Sequence, residues 1–103
     1  WDWETKIWGW DYPMVAMTAA RLGEPGIAVD VLLKSDSPNN DYMANGHCPQ
    51  RGDLAVYMPA NGSLLSAVAM MAIGWDGAPS NNAPGFPKDG TWQVRSEGLR
   101  PLP

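Results

Sequence analysis

The chain has 103 residues, a formal net charge of −4, and seven basic residues spread over Lys6, Arg21, Lys34, Arg51, Lys88, Arg95 and Arg100. Scattered cations on an acidic chain offer no patch to neutralise a phosphate backbone, so nucleic acid is excluded as an expected partner. Cys48 is the single cysteine, which rules out an intramolecular disulfide and a thiolate metal cage.

Positions 1–12 carry four tryptophans (Trp1, Trp3, Trp8, Trp10) and three carboxylates (Asp2, Glu4, Asp11). Indoles present flat apolar faces and one N–H, and beside carboxylates they suit a ligand with apolar faces and hydroxyl-rich edges. A sugar ring has that character. The cluster lies at the very start of the sequence, which has no initiator methionine, so the expectation is a segment of something longer.

A first helix is expected from Tyr12-Pro13, since proline is tolerated in a first turn, with Asp11 or Tyr12 as its cap. Met14, Val15, Met17 and Leu22, interleaved with small alanines, make a packing stripe that stops at Gly23. A second helix is expected from Glu24-Pro25 to about Lys34, forming an antiparallel hairpin with the first. Positions 35–60 read as a long polar loop holding Asn45-Gly46-His47-Cys48, with Leu54–Met58 as a brief strand or buried extended stretch. Asn61 is expected to cap a third helix that runs to Ile73, closes at Gly74, and has almost no polar face. A helix apolar all round is enclosed by protein, and the remaining elements are too few to enclose it. The longest apolar run, Leu64–Ile73, falls well short of the roughly twenty residues that span a bilayer, so no membrane helix is expected. Trp92-Gln93-Val94-Arg95 alternates apolar with polar and reads as a short edge strand near the end of an otherwise all-α chain.

In their order and spacing, several stretches resemble the C-terminal part of an (α/α)6-barrel, or six-hairpin, glycoside hydrolase. They are Trp8-Gly9-Trp10-Asp11-Tyr12-Pro13-Met14, Ala20-Arg21-Leu22-Gly23, Asn45-Gly46-His47, and Pro59-Ala60-Asn61-Gly62 entering a buried helix that ends Gly74-Trp75-Asp76-Gly77. The resemblance implies that residues 1–103 are the C-terminal part of one helical-barrel catalytic domain, a partial toroid completed by the rest of the parent domain. It implies glycosidic bond hydrolysis of an oligosaccharide or polysaccharide by paired carboxylates. Within the class, barrel α-L-fucosidases and galactosidases carry an Asp-Gly-Asn-Phe-Gly motif. Laid over residues 59–63, only Asn61 keeps its place, and Pro59 stands at the carboxylate position. No cofactor or metal is implied. A secreted or periplasmic location is what the resemblance suggests, and composition leaves location open.

Within that reading Trp8, Trp10, Asp11, His47 and Asn61 are the expected substrate-binding residues. Asp11 is the best candidate for a catalytic carboxylate, with a helix cap as its plainer and compatible reading. His47 suits hydroxyl binding or proton transfer, with a structural role as its plain alternative. Trp75 and Trp92 are expected to pack, and Met14, Met17, Met70 and Met71 to fill the core. Two other classes fit the same residues: a noncatalytic carbohydrate-binding or scaffold segment, and a polysaccharide lyase on a related toroid.

Overall fold

The computed structural model describes residues 2–4 and 7–103; Trp1, Thr5 and Lys6, which include part of the opening cluster, lie outside the described residues. Three helices follow one another: α1 (Asp11–Arg21), α2 (Pro25–Leu32) and α3 (Met58–Ile73). The fold is all-α, and among the described residues extended pairing is confined to two isolated bridges, Arg51 with Leu54 and Trp75 with Leu102.

Helix α1 ends in a Schellman arrangement. The Gly23 N–H bonds to the Ala20 carbonyl at 3.1 Å and the Glu24 N–H to the Ala19 carbonyl at 2.9 Å. Gly23 has φ +81°, where a side chain would meet its own carbonyl, so glycine permits the reversal into α2. Pro25 then opens α2 at a position whose N–H has no helical partner to lose.

α1 packs against both other helices, and its alanines explain why it can. Ala16, Ala19 and Ala20 are buried and let backbones approach closely. They meet Ala28 and Val29 of α2, then Met70, Met71 and Ala72 of α3, with Trp75, Ala83 and Phe86 closing the cluster from the chain beyond α3. A smaller cluster of Ile7, Tyr12 and Val31 lies under Trp3 and Val15. Tyr12 is wholly buried and donates its hydroxyl hydrogen to the Pro38 carbonyl, which ties α1 to the long loop.

Several expectations are corrected. Asn61 is not the cap of α3, because Pro59 is accommodated in the first turn and the helix starts at Met58, with Tyr57 before it. Residues 92–95 form no strand, since no second segment runs alongside to pair with them. Leu54–Met58 is not a strand either; Leu54 closes a tight turn through its N–H to the Arg51 carbonyl at 2.9 Å. Met14 is 45% exposed and so is not core filler. In keeping with the shortage of elements to cover it, α3 is not enclosed by this chain: Leu65 and Val68 are 71% and 42% exposed on the side that α1 leaves uncovered.

Beyond α3 the chain doubles back. Gly74, at φ +102°, ends the helix, and the Gly85 N–H returns to the Met71 carbonyl at 2.9 Å. The segment ends in a strap. Leu102 donates to the Gly74 carbonyl at 3.1 Å and accepts from the Asp76 N–H at 2.8 Å, while Arg21 Nη2 donates to the Pro103 carbonyl at 2.6 Å.

Candidate functional site

The turn that leads into α1 holds itself shut. The Asp11 N–H donates to the Trp8 carbonyl at 2.9 Å, and the Trp8 N–H donates to Asp11 Oδ2 at 2.7 Å. Asp11 is only 9% exposed, in the first turn of α1, where a carboxylate also complements the helix dipole. Its side chain serves the backbone of the turn and keeps Trp8 and Trp10 in register.

Gly9, between the two indoles, is buried against α3. Its N–H donates to Gln50 Oε1 at 2.9 Å. A Cβ there would stand 2.9 Å from Ala60 Cβ, 3.0 Å from the Asn39 carbonyl oxygen and 3.4 Å from Cys48 Sγ. The pinned glycine leaves its neighbours outside, with Trp8 40% and Trp10 49% exposed. The Trp8 ring is partly occupied by protein: Tyr57 lies 5.5 Å away, tilted by 45°, and Arg51 Cζ is 6.0 Å from the ring centre. Trp10 has no such ring or cation contact among the described residues.

The long loop completes this end of the molecule. Asn61 is half-buried in the first turns of α3, and its Nδ2 donates to the Gly46 carbonyl at 2.7 Å, while its Oδ1 is buried without a partner. That bond fixes the tight turn in which the Gly46 N–H meets the Met43 carbonyl at 2.8 Å and the Met43 N–H meets the His47 carbonyl at 2.9 Å. His47 is exposed, its N–H donating to Asn45 Oδ1 at 3.0 Å and its Nδ1 lying 3.5 Å from Asn45 Nδ2. Next to it, Cys48 is fully buried with Sγ 3.6 Å from the Asn39 carbonyl oxygen, and burial pushes its thiol above the usual range. A buried thiol held protonated is a poor nucleophile. The neighbouring Tyr42 hydroxyl has no partner at hydrogen-bonding geometry, and burial followed by the proximity of Cys48 pushes its ionisation far up.

Trp8, Trp10, Asp11 and Asn61 are therefore joined at the end where α1 and α3 begin, with His47 beside Gly46 on the loop that Asn61 anchors. Trp75 and Trp92 belong elsewhere. Trp75 is buried with Arg21 Cζ 6.0 Å from its ring, and Trp92 rests on Phe86 at the far end of α3. Gln50, Arg51 and Tyr57 escape sequence reasoning altogether. Their only signal is indirect: a glycine between two tryptophans marks a close approach, but nothing local says that the partner is 41 residues away.

No family model, curated protein or solved structure matches this chain. What the end can do chemically follows from its groups alone. It offers two partly exposed indoles on a rigid mount, an amide and an imidazole nearby, and one carboxylate already engaged by a backbone N–H. Groups of these types can stack on an apolar face and hydrogen-bond to polar edges.

Proposed function

We propose that this end contacts carbohydrate, as part of a six-hairpin glycoside hydrolase in which residues 1–103 supply barrel helices and cleft-lining side chains. The carrying observation is the Trp8-Gly9-Trp10 mount: a buried, hydrogen-bonded glycine holds two indoles outward, and the half-exposed Trp10 ring meets no other ring or cation among the described residues. Holding an aromatic surface rigid before binding lowers the ordering cost of association. Trp10 is the stacking platform, Asn61 and His47 meet hydroxyls, and Asp11 positions Trp8. In this reading the acid and base that cleave the bond are carried elsewhere in the barrel.

A noncatalytic carbohydrate-binding role is the second reading. It is favoured by the engagement of Asp11, because glycoside cleavage uses two carboxylates and the best candidate at this end is already held by a backbone N–H. Titration of the protein with neutral oligosaccharides, followed by indole N–H resonances, tests both readings. The expected result is perturbation of the Trp8 and Trp10 signals and about tenfold weaker binding in Trp10→Ala, equivalent to about 1.4 kcal/mol. An unchanged affinity in Trp10→Ala sinks the stacking role. A reducing-sugar assay on the full encoded protein separates the two readings, since turnover supports hydrolysis and binding without turnover supports the second.

A further inference from the structure

The opposite end of α3 carries a second surface that the reading above does not use. A groove of about 520 Å³ is lined by Asn81, Phe86, Lys88, Trp92, Gln93 and Arg95 among others. Its walls are built, not draped. Lys88 Nζ donates to the Asn82 and Ala83 carbonyls at 2.7 and 2.5 Å, and Asn82 Nδ2 donates across to the Val94 carbonyl at 3.0 Å. These bonds tie the 81–88 turn to the extended run that holds Trp92 and Arg95. Phe86, 9% exposed, supports Trp92 with ring centres 5.3 Å apart and planes at 50°. The turn itself is anchored to the core, because Gly85 sits directly on Met71.

Against this frame stand groups with no hydrogen-bond or ionic partner among the described residues. The Trp92 indole is 41% exposed and its N–H is unbonded, the Gln93 and Asn81 side chains have no hydrogen bond, and the Arg95 guanidinium has neither hydrogen bond nor ion pair. Lys88 adds a second positive charge and keeps one N–H donor unused. The nearest acids in sequence form no ion pair with these cations: Asp89 accepts from Thr91, which holds its carboxyl below the usual range, and Glu97 lines a neighbouring groove that Arg95 also borders. On a chain of net charge −4, Arg95 and Lys88 place two positive charges, neither in an ion pair among the described residues, beside an aromatic platform.

We propose that this groove binds an acidic saccharide, with a sugar ring lying on Trp92, its carboxylate at Arg95, and its hydroxyls at Gln93 and Asn81. A guanidinium matches a carboxylate with paired donors, an amide donates and accepts at a hydroxyl, and an indole face covers the apolar side of a pyranose. A bare phosphate would use Arg95 and Lys88 and ignore the ring. A neutral sugar would use Trp92 and leave the guanidinium without its partner. Asn61 and Met71 are ten residues apart on α3, about 15 Å at 1.5 Å per residue, so this groove and the Trp10 end are separately observable.

The test uses the protein labelled with nitrogen-15 and three probes: a galacturonate trisaccharide, its neutral galactose counterpart, and inorganic phosphate. Galacturonate is expected to move the Trp92 indole signal and to bind more tightly than the neutral sugar. Arg95→Gln should weaken galacturonate about 10- to 100-fold and leave the neutral sugar unaffected, since charge-assisted hydrogen bonds are the strong ones. Arg95 is exposed and unbonded, so the variant's amide spectrum should otherwise match the parent. Trp92→Ala should weaken both sugars, and Trp92→Phe, which retains a ring against Phe86, should recover part of the loss. Equal affinity for the two sugars overturns the assignment, as does a phosphate response that matches galacturonate without moving Trp92. So does galacturonate that moves only Trp8 and Trp10, a result that leaves the proposed function standing.

Discussion

Gly85→Ala should be the most damaging single-methyl addition in the chain. A Cβ at Gly85 would stand 2.5 Å from both Cα and Cβ of Met71 and 2.6 Å from its Cγ. Met71 is fully buried in α3 and part of the clash is with backbone, so a rotamer change cannot relieve it. The 84–86 turn would have to retreat about 0.9 Å to reach ordinary contact at 3.4 Å. Overpacking of this kind costs about 1–3 kcal/mol. Retreat also stretches the 2.9 Å bond from the Gly85 N–H to the Met71 carbonyl, which contributes about 1 kcal/mol. A loss of about 3 kcal/mol corresponds to a fall of roughly 12–24 °C in Tm for a domain of this size. Gly62→Ala is the control, because its Cβ would enter open space on α3 and should stabilise by up to about 1 kcal/mol through helix propensity. Urea titration followed by circular dichroism, with hydrogen exchange at residues 74 and 85, reads both variants. If Gly85→Ala stays within about 0.5 kcal/mol of the parent, the turn does not press on α3 as described.

Asp11→Ala removes the acceptor of the Trp8 N–H and should cost about 1–3 kcal/mol while shifting the Trp8 and Trp10 indole signals; an unperturbed Trp8 resonance contradicts the positioning role. Gly9→Ala should destabilise by about 1–3 kcal/mol, and adding Ala60→Gly should restore only part of that, because the Asn39 carbonyl remains 3.0 Å from the new methyl; full restoration in urea titrations would argue against that backbone contact. Burial holds Cys48, Tyr12, Tyr42 and Tyr57 protonated to higher pH in the folded chain than in the unfolded one. The folded state then binds more protons at alkaline pH, so stability from these groups is whole below their unfolded pKa values, about 8.5–10, and falls as pH rises through and beyond that range. A urea midpoint flat from pH 7 to 11 would refute this. Cys48 should likewise resist iodoacetamide at pH 8 until denaturant is added, and rapid labelling of the native protein would contradict its burial.

Helix content was legible in the sequence because its signals are local. Gly23 after an alanine-rich stripe and Pro25 two residues later define the α1–α2 turn without reference to anything distant. The start of α3 was misread because Asn61 looks like a cap, whereas Pro59 needs only a first turn and Tyr57 is already fixed by its N–H to the Cys48 carbonyl at 2.9 Å. Alternation at 92–95 suggested a strand, but a strand exists only through a neighbour, and none is supplied. At the candidate site the residue types were readable, and their commitments were not. Asp11 reads in sequence as a catalytic candidate or a helix cap, and in the structure its carboxylate holds the Trp8 N–H; Gln50 looks like loop filler and holds Gly9. The first engagement is local, a backbone N–H three residues upstream that residue type alone does not announce, whereas the second joins positions 41 residues apart.

The strap from Gly74 to Pro103 gives the fold two unequal kinetic halves. Helices α1 and α2 and the turn between them involve neighbours in sequence and form on the microsecond scale of helix relaxation. The bonds between Leu102 and both Gly74 and Asp76 must close a loop of about 28 residues, and non-local closure is the slower kind of event. Leu102 should therefore report late in folding, with its contacts absent from a transition state in which the alanine face of α1 is already docked. Opening the strap should also be the first step in unfolding, exposing Trp75 while α1 and α2 remain together.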